Sequence, residues 1–203
     1  MKEKIILKSA HPEEYPDLVI ECKVIPNEKI GDYIASIPEK RKFYAYKKAV
    51  VTARKGIEGE IIKTTLRTTV NGKEYILEEE ENTVKKREVN GEEKTDIVVT
   101  NIESTTKEQY IVKYRQFMET YTQKESSKDD VAEFIPIYEP RLLVQVDEDI
   151  IIVTSWGAPA ICLKGSYIVV YNAKKNDYNT LEKRAFDTTY SKVERGPKKK
   201  LQK

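Results

Sequence analysis

One histidine and two cysteines in a chain of 203 residues leave little material for the common catalytic and metal-binding devices. A Ser-His-Asp or Cys-His nucleophile would have to use His11. That residue lies in Ala10-His11-Pro12-Glu13-Glu14-Tyr15-Pro16, which reads as an exposed turn. Cys22 and Cys162 stand far apart inside apolar runs, with no Cys-x-x-Cys, so a structural zinc set cannot be assembled. They read as buried free thiols of a reducing compartment, with a disulfide between them as the alternative. Neither a G-x-G-x-x-G nor a Walker loop occurs, and Gly56-Ile57-Glu58-Gly59 is too short and too acidic to cradle a phosphate. Long apolar runs are missing as well. A secretory signal needs an apolar stretch of about 7–15 residues and a membrane span about 20. Met1 to Leu7 offers three apolar residues before charge returns, which predicts a cytoplasmic protein without a membrane partner.

Charged residues make up 34% of the chain, above the ~25% usual for globular domains. The 13 tyrosines recur along most of it, which argues against disorder. The net charge of +2 is unevenly placed. Lys192, Arg195, Lys198, Lys199, Lys200 and Lys203 face only Glu194 in the tail, leaving a body of net charge −3. The tail from Arg195 is expected to be disordered.

Alternation and β-branched residues dominate the rest. Asp17 to Val24 and Lys42 to Arg54 read as strands. Asn27 to Ile37 reads as a helix capped by Asn27, with Ile30, Tyr33, Ile34 and Ile37 on one face and Pro38 ending it. Asn71-Gly72 and Asn90-Gly91 predict two hairpins, because type I′ turns need positive φ at both central residues. Strands follow near 60–70, 73–80, 83–89 and 95–101, with Glu78-Glu79-Glu80-Glu81 a solvated strand end or loop. Gln123 to Asp130 is polar and reads as a linker between lobes. Further strands are expected near 140–146, 150–155, 159–163, 166–172 and 178–181.

The chain repeats itself. Asp96-Ile97-Val98-Val99-Thr100-Asn101 resembles Tyr167-Ile168-Val169-Val170-Tyr171-Asn172, and Tyr110 and Tyr178 follow. Arg115-x-Phe117-x-x-x-Tyr121 then matches Arg184-x-Phe186-x-x-x-Tyr190 in one register. Phe and Tyr four apart share a face on a helix or a strand, so spacing leaves the local structure open. A single helical turn closing each unit, its aromatics docked on a sheet, is the expectation. The fold class predicted is mainly β with a few short helices: an extension over 1–41, β units over 42–122 and 131–191, and a basic tail over 192–203.

Gln145 to Gly157, Gly165-Ser166-Tyr167-Ile168-Val169, Asp177-Tyr178 and Phe186-Asp187-Thr188-Thr189-Tyr190 resemble small phage and prophage proteins of the PGDYG-like family. Tyr46-Lys47-Lys48-Ala49-Val50-Val51 is similar to the way many of them begin. Ala49 stands in place of a proline, Ser166 in place of the acidic residue, and Lys94-Thr95-Asp96 where Gly-Asp-Tyr is expected. The resemblance implies a phage-type accessory protein and no particular chemistry.

The function expected is therefore non-enzymatic binding. It would cap the surface of a host or defence protein, or sequester a small nucleotide-like ligand, as a monomer or homo-oligomer and with no cofactor. Trp156, Arg115, Arg184, Tyr167 and Tyr178 are the candidate ligand- or partner-binding residues, and the 78–91 hairpin region joins Trp156 as a place for function. Two alternatives stand beside this. Lys198, Lys199 and Lys200 could carry nucleic-acid binding, and tyrosines, arginines and carboxylates could form an unfamiliar nucleotide-processing site. Asp147-Glu148-Asp149 is the best carboxylate cluster for a hard cation, although it reads first as a charged turn.

Overall fold

The structure, a computed structural model, describes residues 2–102, 108–124, 132–155, 157 and 159–193. The chain begins with strands β1 (Glu3–Leu7) and β2 (Leu18–Ile25), a short 3-10 turn (Asn27–Lys29) and helix α1 (Ile30–Ser36). Strands β3 (Lys42–Lys47) and β4 (Val51–Lys55) follow. Two hairpins come next: β5 (Ile61–Val70) with β6 (Lys73–Thr83), then β7 (Lys86–Val89) with β8 (Glu92–Thr95). Strands β9 (Ile97–Asn101) and β10 (Gln109–Val112) lead into α2 (Tyr114–Thr120), β11 (Tyr121–Gln123) and β12 (Glu133–Pro136). The remainder comprises β13 (Arg141–Gln145), β14 (Ile150–Val153), β15 (Pro159–Cys162), β16 (Tyr167–Asn172), β17 (Asp177–Leu181), α3 (Lys183–Thr189) and β18 (Tyr190–Val193). Among the described residues the fold is β-rich, with sheets that are antiparallel except where β2 pairs with β14 in parallel, and three short α-helices.

Both Asn-Gly pairs form the turns they predict. Asn71 and Gly72 have φ of 51° and 77°, and Asn90 and Gly91 of 54° and 81°. Glu78 lies inside β6 rather than at a loop, because that hairpin runs three residues further than its alternation suggests. Asn27 does not cap α1. Its side-chain amide instead donates to the carbonyls of Val153 and Asn176, both at 3.0 Å. Lys42 to Arg54 is two strands rather than one, broken over 48–50.

Two compact units result, and they differ from the units of sequence similarity. Unit 1 comprises 1–47 and 139–203, and unit 2 comprises 48–138. The boundaries therefore fall after β3 and after β12, not at 41 or at 123–130. Residues 125–130 of the expected linker lie outside the described residues, and the strands flanking it, β11 and β12, pair with each other within unit 2.

Unit 1 contains a four-stranded sheet in the order β1-β2-β14-β15 and a five-stranded sheet in the order β17-β16-β13-β3-β18. Period-two alternation sorts their side chains. Val144, Ile168 and Tyr178 face Ile25, Ile150, Ile152 and Cys162 of the other sheet, with Ile30 and Ile37 of the α1 segment in the same core. Leu143, Tyr167 and Val169 face the opposite way and are covered by Phe186 of α3. Both cysteines are buried free thiols. Cys162 belongs to the inter-sheet core, whereas Cys22 is offset by one residue from Lys23, the partner of Ile150, so it points to the other face. A disulfide between them is thereby ruled out.

Unit 2 contains a five-stranded sheet in the order β10-β9-β4-β12-β11. Val51, Ile97 and Val99 lie under Phe117 of α2, and Val98 on the other face meets Ile62 and Val84. This sheet repeats the one in unit 1 rung by rung. Ala53 pairs with Val99 as Leu143 pairs with Val169, and Val99 with Tyr110 as Val169 with Asn179. Gln123 pairs with Phe134 as Lys192 with Ala45, and Phe134 with Val51 as Ala45 with Arg141. The duplication extends to both helices, each of which spans seven residues and is followed directly by the tyrosine of the repeat.

The rung-by-rung match corrects the sequence alignment by one residue. Tyr110 packs toward α2, while Tyr178 faces away from α3 into the inter-sheet core. A one-residue slip reverses a strand's faces, so Tyr178 has no counterpart in Tyr110, and Tyr167 corresponds to Ile97 rather than Asp96. Asp96 corresponds to Ser166, and both are buried polar residues. Each backbone carbonyl accepts from the end of the neighbouring strand's chain, Gly56 N–H at 2.9 Å and Val146 N–H at 3.0 Å.

Candidate functional site

The Arg-x-Phe-x-x-x-Tyr segments are latches. Phe117 stacks on Tyr121 at 4.9 Å and meets Phe134 edge-on at 4.9 Å. Phe186 stacks on Tyr190 at 6.1 Å and packs on Phe43 and Tyr167 at 5.6 and 4.6 Å. The helix start is better made in α3. The Glu182 carboxylate accepts from the N–H groups of Arg184 and Ala185 at 2.5 and 3.0 Å, while Lys113 supplies no side-chain cap to α2. Burial pushes the Glu182 carboxyl pKa up, and those two hydrogen bonds oppose it.

The candidate residues separate sharply. Tyr167 and Tyr178 are core residues, 4% and 3% exposed, and neither offers its ring to a ligand. Burial raises both hydroxyl pKa values. Arg115 projects into solvent and pairs with Glu119 one turn on, at 2.9 Å. Arg184 lies on the exposed side of α3. Trp156 and the tail lysines Lys198, Lys199 and Lys200 lie outside the described residues. Within unit 1, Tyr167 and Tyr178 belong to cores on opposite faces of their sheet and form no common site.

One of them does gain new neighbours. Arg115, Tyr114, Met118 and Glu119 of α2 line a recess of about 320 Å3 with Val89 and Asn90 at the tip of the β7–β8 hairpin. A second recess of about 190 Å3, lined by Lys55, Lys86, Glu93, Lys94, Thr95 and the same Tyr114, adjoins it. The Lys94 ammonium stands 5.7 Å from the centre of the Tyr114 ring. Lys86 is paired with Glu58 at 2.9 Å, and Lys94 with Glu92. Met118 is 58% exposed. Tyr114, Met118 and the surrounding lysines carry no sequence motif. Of the places the sequence singled out, Arg115 and the 78–91 hairpin region lie on this surface.

Other polar side chains hold the scaffold. Asp96 is 2% exposed and accepts from Lys85 N–H at 3.1 Å and from Arg87 Nε at 3.0 Å. It thereby ties the β7–β8 hairpin to β9. Arg54 grips Glu60 and holds its carboxyl pKa down to about 2, with the Ile57 N–H assisting. Asp147 pairs with Arg41 at 2.7 Å, Glu148 with Lys2 at 3.6 Å, and the Asp149 carboxylate accepts from Lys164 N–H at 2.7 Å. The 147–149 cluster is thus a cross-linked turn, and no group of three metal-ligating side chains converges among the described residues. His11 closes a turn through its carbonyl, which accepts from Glu14 and Tyr15 N–H. No helix among the described residues is long and apolar enough to cross a membrane.

Compared with known proteins, the chain matches no family model, no curated protein and no solved structure.

Proposed function

We propose that this chain is a non-enzymatic, phage-type accessory protein that caps the surface of a host or defence protein in the cytoplasm. Its contacting surface is built from α2 and the tip of the β7–β8 hairpin. The observation that carries this reading is the grouping of Tyr114, Arg115 and exposed Met118 beside Val89 and Asn90 around one open recess. Tyrosine, arginine and methionine are the side chains enriched where proteins bind one another. Binding is favoured over chemistry because the carboxylates with well-placed partners, Asp96, Glu60 and Asp149, are engaged in joining strands and turns. The PGDYG-like resemblance supports the phage assignment. Thr95-Asp96-Ile97 occupies the place of Gly165-Ser166-Tyr167, so the acidic residue of that motif is present in one copy.

A second reading rests on the adjoining recess, where Lys55, Lys86 and Lys94, with Glu93 among them, line the space with Tyr114. These groups suit a nucleotide-like anion, with its base against the tyrosine and phosphates on the lysines. Nucleic-acid binding through Lys198, Lys199 and Lys200 remains the reading for a salt-sensitive affinity lost with the tail.

The test is quantitative capture from host lysate with wild-type, Met118→Glu and Arg184→Ala proteins, alongside mass spectrometry of small molecules released on denaturation. The reading predicts a captured protein whose yield falls at least about tenfold with Met118→Glu and stays at the wild-type level with Arg184→Ala. Equal capture by all three would refute the surface. A released nucleotide without a captured protein would favour the second reading.

A further inference from the structure

The first strand of each repeat completes the sheet of the other repeat. In order along the chain, repeat 1 is β3-β4-β9-β10-α2-β11 and repeat 2 is β12-β13-β16-β17-α3-β18, with hairpins inserted after β4 and β13. Yet β12 sits between β4 and β11, and β3 sits between β13 and β18. The exchange is made by short connections, residues 48–50 and 137–140.

Two consequences follow for unit 1. Its two segments, 1–47 and 139–203, are joined only through unit 2. They also interdigitate thoroughly. β3 pairs with β13 and β18, β2 pairs with β14, and Ile25, Ile30 and Ile37 enter the same core as Ile150, Ile152 and Cys162. A chain whose two segments part would expose an apolar face on each. The complement of either face is carried by every other copy. Unit 2, contiguous over 48–138, would keep its own strand pairings.

We infer that this chain also forms a reciprocally exchanged homodimer, in which 1–47 of one copy completes unit 1 with 139–203 of the other. The contacts within unit 1 are the same in both forms, so stability per contact cannot choose between them. The choice is set by concentration, against the effective concentration of the two segments within one chain. Exchange requires passage through an opened state, so dimers accumulate when the protein is unfolded and refolded at high concentration and then persist on dilution.

A cross-strand disulfide reads out which chain supplies β3. Tyr46 and Ser191 are direct partners across β3 and β18. In Tyr46→Cys/Ser191→Cys protein, the oxidised closed form migrates at monomer mass on non-reducing denaturing gels and the exchanged form at dimer mass. Thr52→Cys/Glu133→Cys joins β4 and β12 inside unit 2 and should give monomer mass in either form. Full-length proteins are refolded across a concentration series and oxidised. While monomer predominates, the ratio of dimer band to monomer band should rise about tenfold per tenfold in concentration by mass action, with the Thr52/Glu133 protein staying monomeric. Monomer mass at every concentration, or equal dimer bands from both variants, would overturn the inference. Native mass spectrometry of wild-type protein, co-refolded from isotopically light and heavy pools, covers a variant that does not fold. Mixed dimers are expected there, and their absence counts against the exchange.

Discussion

Replacing Phe186 with alanine tests whether the repeated motif is a latch held by a strand from the other repeat. Phe186 is 6% exposed and touches Phe43, Tyr167 and Tyr190. A buried Phe→Ala change costs about 3–5 kcal/mol through lost transfer energy and the cavity left behind. Arg115, by contrast, makes an exposed pair one helical turn long, and such pairs contribute about 0.3–0.5 kcal/mol. Phe186→Ala should therefore cost roughly ten times as much as Arg115→Ala. Because two units are present, the loss should fall on the unit 1 transition in urea unfolding followed by circular dichroism, with Phe117→Ala acting on unit 2 instead. A double-mutant cycle sharpens the point. Phe43 comes from β3 of repeat 1, and its edge-on contact with Phe186 should appear as a coupling of about 0.5–1.5 kcal/mol. A Phe186→Ala loss below about 1 kcal/mol, or a coupling of zero, would refute the latch.

Three further outcomes are expected. Gly56→Ala places a methyl 2.6 and 2.8 Å from the two methyls of buried Val84 and 3.0 Å from the Asp96 carbonyl, so it should lower unit 2 stability by about 1–3 kcal/mol; an unchanged urea midpoint contradicts this. Glu60 has its pKa depressed to about 2 in the folded chain, so it binds fewer protons there than when unfolded. Its contribution is complete above about pH 4.5 and lost as the pH falls toward 2, and a side-chain NMR titration with a midpoint near 4.5 would disprove the pairing. Burial raises the pKa of both Cys22 and Cys162, so neither should react with a thiol reagent at pH 8 until denaturant is added; one equivalent reacting in native buffer contradicts this.

The two Asn-Gly hairpins, the α1 segment and the boundaries of the later strands were legible in the sequence, because each depends on local backbone preference or on period-two alternation. Pairing was not legible. Nothing in Lys42 to Arg54 marks the break over 48–50, and strand exchange leaves no local trace, since β3 and β12 make equivalent contacts in either sheet. The one-residue misalignment of Asp96 with Tyr167 has a similar origin. Val-Val runs in β9 and β16 look alike in both registers, and only the faces they present tell them apart. For the candidate site, aromatic identity was visible but burial was not, which placed Tyr167 and Tyr178 among ligand candidates when they belong to the core. Tyr114 and Met118 escaped notice because helical exposure beside a distant hairpin tip has no signature in sequence.

Interstrand Hα–Hα contacts measured by NMR on the full chain test the exchanged pair of sheets most directly. Close pairs are expected between the strands that the sheets make neighbours: Tyr44 or Phe43 of β3 with Leu142 or Leu143 of β13, and Phe134 of β12 with Val51 of β4. Contacts joining β3 to β4 and β12 to β13 as two local hairpins would contradict it.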